Sequence, residues 1–182
     1  MARKRKIIVH IATSADGFIA RSDGSVDWLD GPSPKGNYGM GAFYKSIDTI
    51  LWGRKTCDMA LDFQKKGIAG SAFDTKVKNH VFTRSQPQAA TPPGVEFVSE
   101  PIKAFTARLR KKKGKDIWMM GGAGIIASFL DEGEIDEFMI HVIPKYRRRN
   151  STDCAPPSRR ATKTDLLHEV HRRRGQAAPC RA

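Results

Sequence analysis

Two turn segments constrain the fold of this chain more than any other feature, because each follows a short apolar run and opens a stretch with a helical pattern. They are Trp52–Thr56, with the letters WGRKT, and Met119–Ile125, with MMGGAGI. At such a turn, the first backbone N–H groups of the helix and its positive dipole end can bind an anion. About seventy residues separate the two segments. Together they predict a fold in which the two turns bind a dinucleotide from opposite sides.

The remaining pattern alternates between strands and helices. Strands are predicted at Lys6–Ala12, Thr49–Trp52, Asn79–Phe82, Gly94–Val98, Asp116–Met120 and Glu137–Ile143, and helices at Ala42–Ile47, Lys55–Phe63, Pro101–Lys112 and Gly124–Leu130. Strands that alternate with helices favour parallel pairing through right-handed crossovers. The sequence therefore predicts an α/β fold with a mostly parallel central sheet.

The net charge of +13 is concentrated at the end of the chain. Residues 145–182 contain 11 Lys and Arg against 3 Asp and Glu, which leaves only +5 for the first 144 residues. Nucleic acid attracts such basic segments through its phosphates. A non-enzymatic basic module that binds nucleic acid through this tail is therefore the alternative from a different functional class.

The strand and helix pattern ends after Pro144. Residues 145–182 have only three large aliphatic side chains, a composition typical of a disordered tail. Triplets that encode Tyr146–Pro156 can also be read one base later as IGEGIPLIAP, and those for Glu169–Pro179 as KFTDGVVKLH, which contains a DG hairpin signal. We therefore predict an incomplete domain at 1–144 and a basic tail at 145–182, with the closing strands lost to a shifted reading frame.

Several classes of protein are disfavoured by the sequence. No window approaches the roughly twenty apolar residues of a membrane span, and no signal-peptide core follows the basic start, so we expect a cytoplasmic protein. Cys57, Cys154 and Cys180 are an odd number without framework spacing, which favours reduced thiols. The spacing of Cys154 and Cys180 with His168 and His171 is poor for a metal, and no metal site is expected.

Charged side chains mark two regions as candidates for binding. Arg54, Lys55 and Arg84 follow the ends of predicted strands, where open α/β sheets bind ligands. Cations at a helix start oppose its dipole, and an anionic ligand would relieve that conflict. Three such cations favour NADPH over NADH, because the extra 2′-phosphate needs them. Each could instead be a solvated surface cation.

Three carboxylates, those of Asp16, Asp23 and Asp27, lie in the polar segment after the first strand. One of them could hold a substrate amine or a pterin-like ring. Such residues also commonly cap turns, and that alternative stays open for each of them.

The order of these motifs resembles the dihydrofolate reductase superfamily. The resemblance is strongest to the reductase domain of the riboflavin-biosynthesis deaminase–reductase, the RibD C-terminal domain, and to its stand-alone bacterial relatives. The segments that carry it are Ser14–Ala20 (SADGFIA), Asp27–Leu29 (DWL), Gly53–Thr56 (GRKT), Thr83–Ser85 (TRS), Gly121–Gly124 (GGAG) and Ile135–Pro144. The resemblance implies a three-layer, dihydrofolate-reductase-like fold.

The same resemblance implies roles for individual residues toward NADPH. The adenosine phosphates would be bound by Gly53, Arg54, Lys55 and Thr56 together with Thr83, Arg84 and Ser85. The pyrophosphate would lie on the turn formed by Gly121, Gly122, Ala123, Gly124 and Ile125, often with a cis peptide bond between the first two. Ala12 and Ile19 would border the nicotinamide.

The implied activity is that of an NADPH-dependent reductase similar to 5-amino-6-(5-phosphoribosylamino)uracil reductase, in which the cofactor carries the chemistry. Because the closing strands are predicted to be lost, we expect this exact chain to have little or no reductase activity. Folate reductases have an acid four residues before a Phe of the first helix, but here Gly39 stands at that spacing before Phe43. We therefore expect Asp27 or Asp16 to supply the substrate acid. The expected partners are a small heterocyclic substrate and a second copy of the chain, with no membrane and no specific nucleic acid. A dinucleotide-binding protein without turnover is a third alternative.

Overall fold

The computed structural model describes residues 3–29, 39–67, 73–84 and 91–145. Its strands are β1 (Ile7–Ser14), β2 (Ile47–Gly53), β3 (Lys78–Phe82), β4 (Val95–Val98), β5 (Asp116–Gly121) and β6 (Glu137–Ile143). Its helices are α1 (Met40–Ser46), α2 (Arg54–Lys65), α3 (Ile102–Lys111) and α4 (Ala123–Asp131), with a single 3₁₀ turn at Asp27–Leu29. Every helix and strand predicted from the sequence is present, with ends that differ by at most two residues.

The chain divides into two compact units. One contains residues 1–11 and 33–140, and the other contains residues 12–32 and 141–182. Only Lys145 of the predicted basic tail is described, so the expectations about residues 146–182 lie outside the described residues. None of the helices in the described ranges is long and apolar enough to cross a bilayer.

The six strands form one sheet in the order β4-β3-β2-β5-β1-β6. The pairs β1–β5, β2–β5, β2–β3 and β3–β4 are all parallel. Central strands of such sheets are covered on both faces, which explains why their sequences are continuous apolar runs. The mostly parallel sheet predicted from the alternating pattern is confirmed.

Two apolar clusters lie on opposite faces of this sheet, because successive side chains of a strand point to opposite sides. Val9, Leu51, Ile117 and Met119 pack with Phe105 and Leu109 of α3 and with Ile126 and Phe129 of α4. Ile8, Ile50, Trp52 and Trp118 pack with Phe43 of α1 and Cys57 of α2. Helices therefore cover both faces, and the three-layer arrangement is confirmed.

An ion pair between buried Arg5 and a partly exposed carboxylate ties together the amino-terminal ends of the central strands. Arg5 pairs with Asp48 and donates from Nη2 to Thr49 Oγ1 (2.9 Å) and from Nε to the carbonyl of Lys115 (2.6 Å). The carboxylate of Asp48 also accepts from the amide of Lys115 at 2.9 Å. A Cβ atom on Gly114 would overlap that carboxylate and lie 3.0 Å from Arg5 Cζ. Only glycine fits beside this pair.

A histidine is buried in β3, the strand next to the edge strand β4. His80 is 5% exposed, and neither ring nitrogen has a hydrogen-bond partner in the described residues. Burial lowers the pKa of His80, and Glu96, at 3.3 Å, raises it. The positive charges of three nearby side chains lower it further; these are Arg108, Lys112 and Lys78. Burial prevails because the Glu96 side chain is 57% exposed, so water screens its attraction. The ring is therefore neutral near neutral pH.

Candidate functional site

The two glycine-containing turns lie side by side at one edge of the sheet. This follows from strand order, because β2 and β5 are neighbours and Trp52 pairs with Gly121. A Cβ atom on Gly53 would lie 3.1 Å from Ile125 Cγ2, 3.3 Å from the carbonyl oxygen of Gly121 and 3.4 Å from the nitrogen of Gly122. The two backbones therefore approach more closely than a side chain at Gly53 would comfortably allow.

The second turn has a backbone that suits glycine. Gly121 has a φ of +111°, a conformation in which other residues are strained. The peptide bond between Gly121 and Gly122 is cis, as the resemblance implied. A Cβ atom on Gly122 would lie 3.3 Å from the hydroxyl oxygen of Thr56, so this residue too faces the first turn. We call the surface formed by Gly53, Thr56, Gly121, Gly122 and Ile125 the glycine cradle.

Helices α2 and α4 both start at the glycine cradle without the usual capping groups. No side-chain hydrogen bond caps either start, and neither helix has an acidic residue in its first turn. Ala123 and Gly124 are the first two residues of α4, and a Cβ atom on Gly124 would meet open space. The positive ends of both helix dipoles therefore face the cradle without a compensating charge from the side chains of their own first turns.

The predicted cations lie at the same edge of the sheet. Arg54 and Lys55 are the first residues of α2, and Lys55 is exposed without an ion-pair partner among the described residues. Gly53 pairs with Phe82, so β3 ends beside β2 and leads directly into Thr83 and Arg84. Arg84 is exposed. Ser85, the last residue of this predicted group, lies outside the described residues.

The candidate acids belong to the other unit. Asp16 accepts a hydrogen bond from the hydroxyl of Ser14 at 2.6 Å, in a turn closed by the amide of Phe18 donating to that hydroxyl at 3.1 Å. Ala12 lies in β1, and Ile19 follows the turn; both are half-buried. The structure thus positions Asp16, Ala12 and Ile19 on one short segment.

Asp27 has an ion-pair partner that sequence reasoning missed. Nη2 of Arg21 donates to its carboxylate at 3.1 Å. The hydrogen bond from Arg21 is the main reason that the pKa of Asp27 is lowered. Asp23 accepts from the amide of Ser25 at 2.8 Å, as expected for a turn-capping residue. Asp27 is therefore a carboxylate at neutral pH and suits hydrogen-bond acceptance better than proton donation.

Sequence reasoning also missed an aromatic cluster around α1, in the first unit. Phe43 lies edge-on to the rings of His10 (centroids 4.3 Å apart) and Trp118 (5.5 Å), and Trp118 Nε1 donates to the carbonyl of His10 at 3.1 Å. The neighbouring Tyr44 donates to Asp74 at 3.1 Å, and burial raises its pKa to about 12. Only the sheet order brings β1, β5 and α1 together, so the sequence carried no signal for this cluster.

Comparison with known proteins agrees with this geometry. The sequence pattern of the RibD C-terminal domain matches residues 5–146. The chain belongs to the RibD C-terminal domain family. The chain is similar to the uncharacterized protein YwjB of Bacillus subtilis (strain 168), with 41% identity over 142 residues and 78% of each chain covered.

Two solved structures resemble this chain. A protein of Shewanella sp. PV-4 named for riboflavin biosynthesis is 30% identical with a TM-score of 0.64, and the match covers 78% of both chains. A deaminase/5-amino-6-(5-phosphoribosylamino)uracil reductase of Thermotoga maritima is 19% identical with a TM-score of 0.51, covering 85% of this chain and 51% of that one. The second likeness shows the fold alone. The resemblance expected from the sequence motifs is confirmed.

Proposed function

We propose that this chain is an NADPH-dependent reductase of the riboflavin-biosynthesis type. The observation that carries the proposal is the glycine cradle, where two uncapped helix starts meet across backbone that leaves little space for a side chain. Membership of the RibD C-terminal domain family supports it.

The residues of the cradle fit the pyrophosphate of a dinucleotide. Close approach of a diphosphate requires backbone without side chains, which Gly53, Gly121 and Gly122 provide. Amide donors at a helix start stabilise phosphate charge. Arg54 and Lys55 add positive charge beside them, and Arg84 ends the neighbouring strand. This donor set suits NADPH better than NADH, since the additional phosphate needs additional cations.

The bound nicotinamide would supply a hydride to a C=N or C=O carbon of a heterocycle or of a ribose opened to its imine form. The chain's own residues would orient the two reactants and exclude water. Ala12 and Ile19 offer half-buried surface suited to border a nicotinamide ring. Asp27, held ionised by Arg21, would accept a hydrogen bond from a substrate N–H group. Asp16 is the other candidate for contact with the substrate.

The test begins with fluorescence titration of the full chain by NADPH at two salt concentrations. Binding that depends only mildly on salt supports the reductase. Steeply salt-dependent binding of arbitrary DNA, with no response to NADPH, would instead favour the basic module that binds nucleic acid. The second step follows NADPH oxidation over a panel of pterins, pyrimidines and ribosylamino-pyrimidines. Binding without oxidation of NADPH would indicate a dinucleotide-binding protein without turnover.

A further inference from the structure

The guanidinium of Arg54 is held by two side chains from different parts of the fold. Its Nε donates to both carboxylate oxygens of Asp58, at 2.8 and 3.0 Å, one helical turn further along α2. Its Cζ lies 5.5 Å from the centre of the Phe97 ring, which belongs to β4. The side chain that starts α2 is therefore held at Nε by a carboxylate, and its guanidinium carbon lies over an aromatic ring.

These two contacts leave the terminal nitrogens of Arg54 as donors. Among the described residues, Asp58 pairs with Arg54 through Nε, and the Phe97 ring takes up none of the guanidinium N–H groups. Nη1 and Nη2 form a planar fork that matches two oxygens of a phosphate. A fork held in place before binding loses less side-chain freedom when the ligand arrives.

Phe97 and Asp58 differ in their effect on a phosphate at this fork. Phe97 packs against the apolar cluster that contains Trp52 and Val81, so its ring is a firm support. The face of this ring attracts the cation, and the ring adds no net negative charge to the site. Asp58 carries a negative charge, and its side chain is 49% exposed. Paired with Nε, that charge partly neutralises the guanidinium and so weakens its attraction for a phosphate at Nη1 and Nη2, to an extent reduced by water.

We propose that Phe97 and Asp58 set how strongly this chain prefers a dinucleotide with a 2′-phosphate, with Phe97 holding the Arg54 fork and Asp58 partly neutralising it. The inference rests on the proposed function, because it needs a dinucleotide at the glycine cradle. Both are positioning residues that act on the ligand through Arg54. Phe97 therefore strengthens the preference for a 2′-phosphate, and Asp58 weakens it.

The experiment measures dissociation constants of the full chain for NADPH and NADH, and for adenosine 2′,5′-bisphosphate and 5′-AMP as probes of the phosphate alone. Phe97→Leu keeps an apolar side chain but removes the ring. It should raise the dissociation constants of the two ligands that carry a 2′-phosphate by about threefold. Asp58→Asn keeps an acceptor for Nε but removes the charge. It should lower the dissociation constants of the same two ligands by about threefold. NADH and 5′-AMP should be unaffected by both changes.

Asp62→Asn is the matched control, since Asp62 forms an equivalent pair with Lys66 (2.7 Å) one turn further along α2. It removes the same charge and should leave all four constants unchanged. A second readout repeats both variants in an Arg54→Gln background, where their effects should disappear if they act through Arg54. If Phe97 and Asp58 had only a structural role, their substitutions would change the dissociation constants in that background as well.

The outcomes separate this inference from the proposed function. If the unmodified chain prefers NADPH but Phe97→Leu or Asp58→Asn shifts the ratio of NADPH to NADH constants by less than about 1.5-fold, that residue's role is refuted. Shifts that persist in the Arg54→Gln background would also refute it. If the unmodified chain binds neither dinucleotide, the proposed function fails and the inference fails with it.

Discussion

Replacing Gly53 by alanine tests whether the close approach of the two turns serves the binding of a dinucleotide. The added Cβ would lie 3.1 Å from Ile125 Cγ2 and 3.3 Å from the carbonyl oxygen of Gly121. Apolar carbons in contact are ordinarily about 3.5–4.0 Å apart, so the groups of the second turn that face the new Cβ would have to move by a few tenths of an ångström. That displacement moves the amides of α4 away from a phosphate placed between the turns.

The expected cost follows from the bonds that would be disturbed. A hydrogen bond to a charged group contributes about 1.5–3 kcal/mol, so loss of one should weaken NADPH binding about ten- to a hundredfold. Folding should persist, because Gly53 has a φ of −80° and a ψ of 149°, which alanine adopts readily. The assay is a fluorescence titration with NADPH, alongside the melting temperature of the same samples.

Gly114→Ala provides the opposite comparison. A Cβ atom there would overlap the Asp48 carboxylate that pairs with buried Arg5, at the other ends of the strands. Because the Asp48 side chain is 34% exposed, disrupting the pair should cost less than the roughly 3 kcal/mol of a fully buried one. The melting temperature should fall while the fraction that remains folded binds NADPH normally. The reasoning is refuted if the Gly53→Ala variant binds NADPH as tightly as the unmodified chain. It is also refuted if Gly53→Ala lowers the melting temperature together with NADPH binding, while Gly114→Ala lowers the melting temperature alone.

Three further outcomes are expected. Arg54→Gln and Arg84→Gln should each weaken NADPH by about 1.5–3 kcal/mol and NADH much less; equal losses for both cofactors would show that these arginines do not contact the 2′-phosphate. Because burial lowers the pKa of His80 below 6.5 in the folded chain, the unfolded chain binds the proton more readily, and stability present above pH 6.5 should fall as the pH drops through the folded pKa. His80→Gln should flatten that slope in thermal melts between about pH 7 and 5, and an unchanged slope would assign it to other groups. A chain continued after Pro144 in the frame that encodes IGEGIP should unfold more cooperatively and bind NADPH more tightly than the present one; an encoding DNA without that frame would rule the idea out.

The elements of the fold were predictable because their signals are local. Apolar runs such as Ile50–Trp52 and the helical spacing of Ile102, Phe105 and Leu109 are properties of neighbouring residues. The glycines of the two turns were equally visible, since their role depends on the backbone just before a helix. These signals located β2, α2, β5 and α4 to within one or two residues.

The order of the strands decided what those elements do together. Only the tertiary packing places β5 beside β2, so that Gly53 touches a turn that lies about seventy residues away in sequence. Only packing brings Phe97 of β4 to the guanidinium of Arg54 and the carboxylate of Asp48 to Arg5. The sequence by itself determined which segments are strands, helices and glycine turns, because backbone conformation responds to nearby residues. The three-dimensional structure alone determined which of those segments meet, because strand order depends on burying apolar faces across the whole sheet.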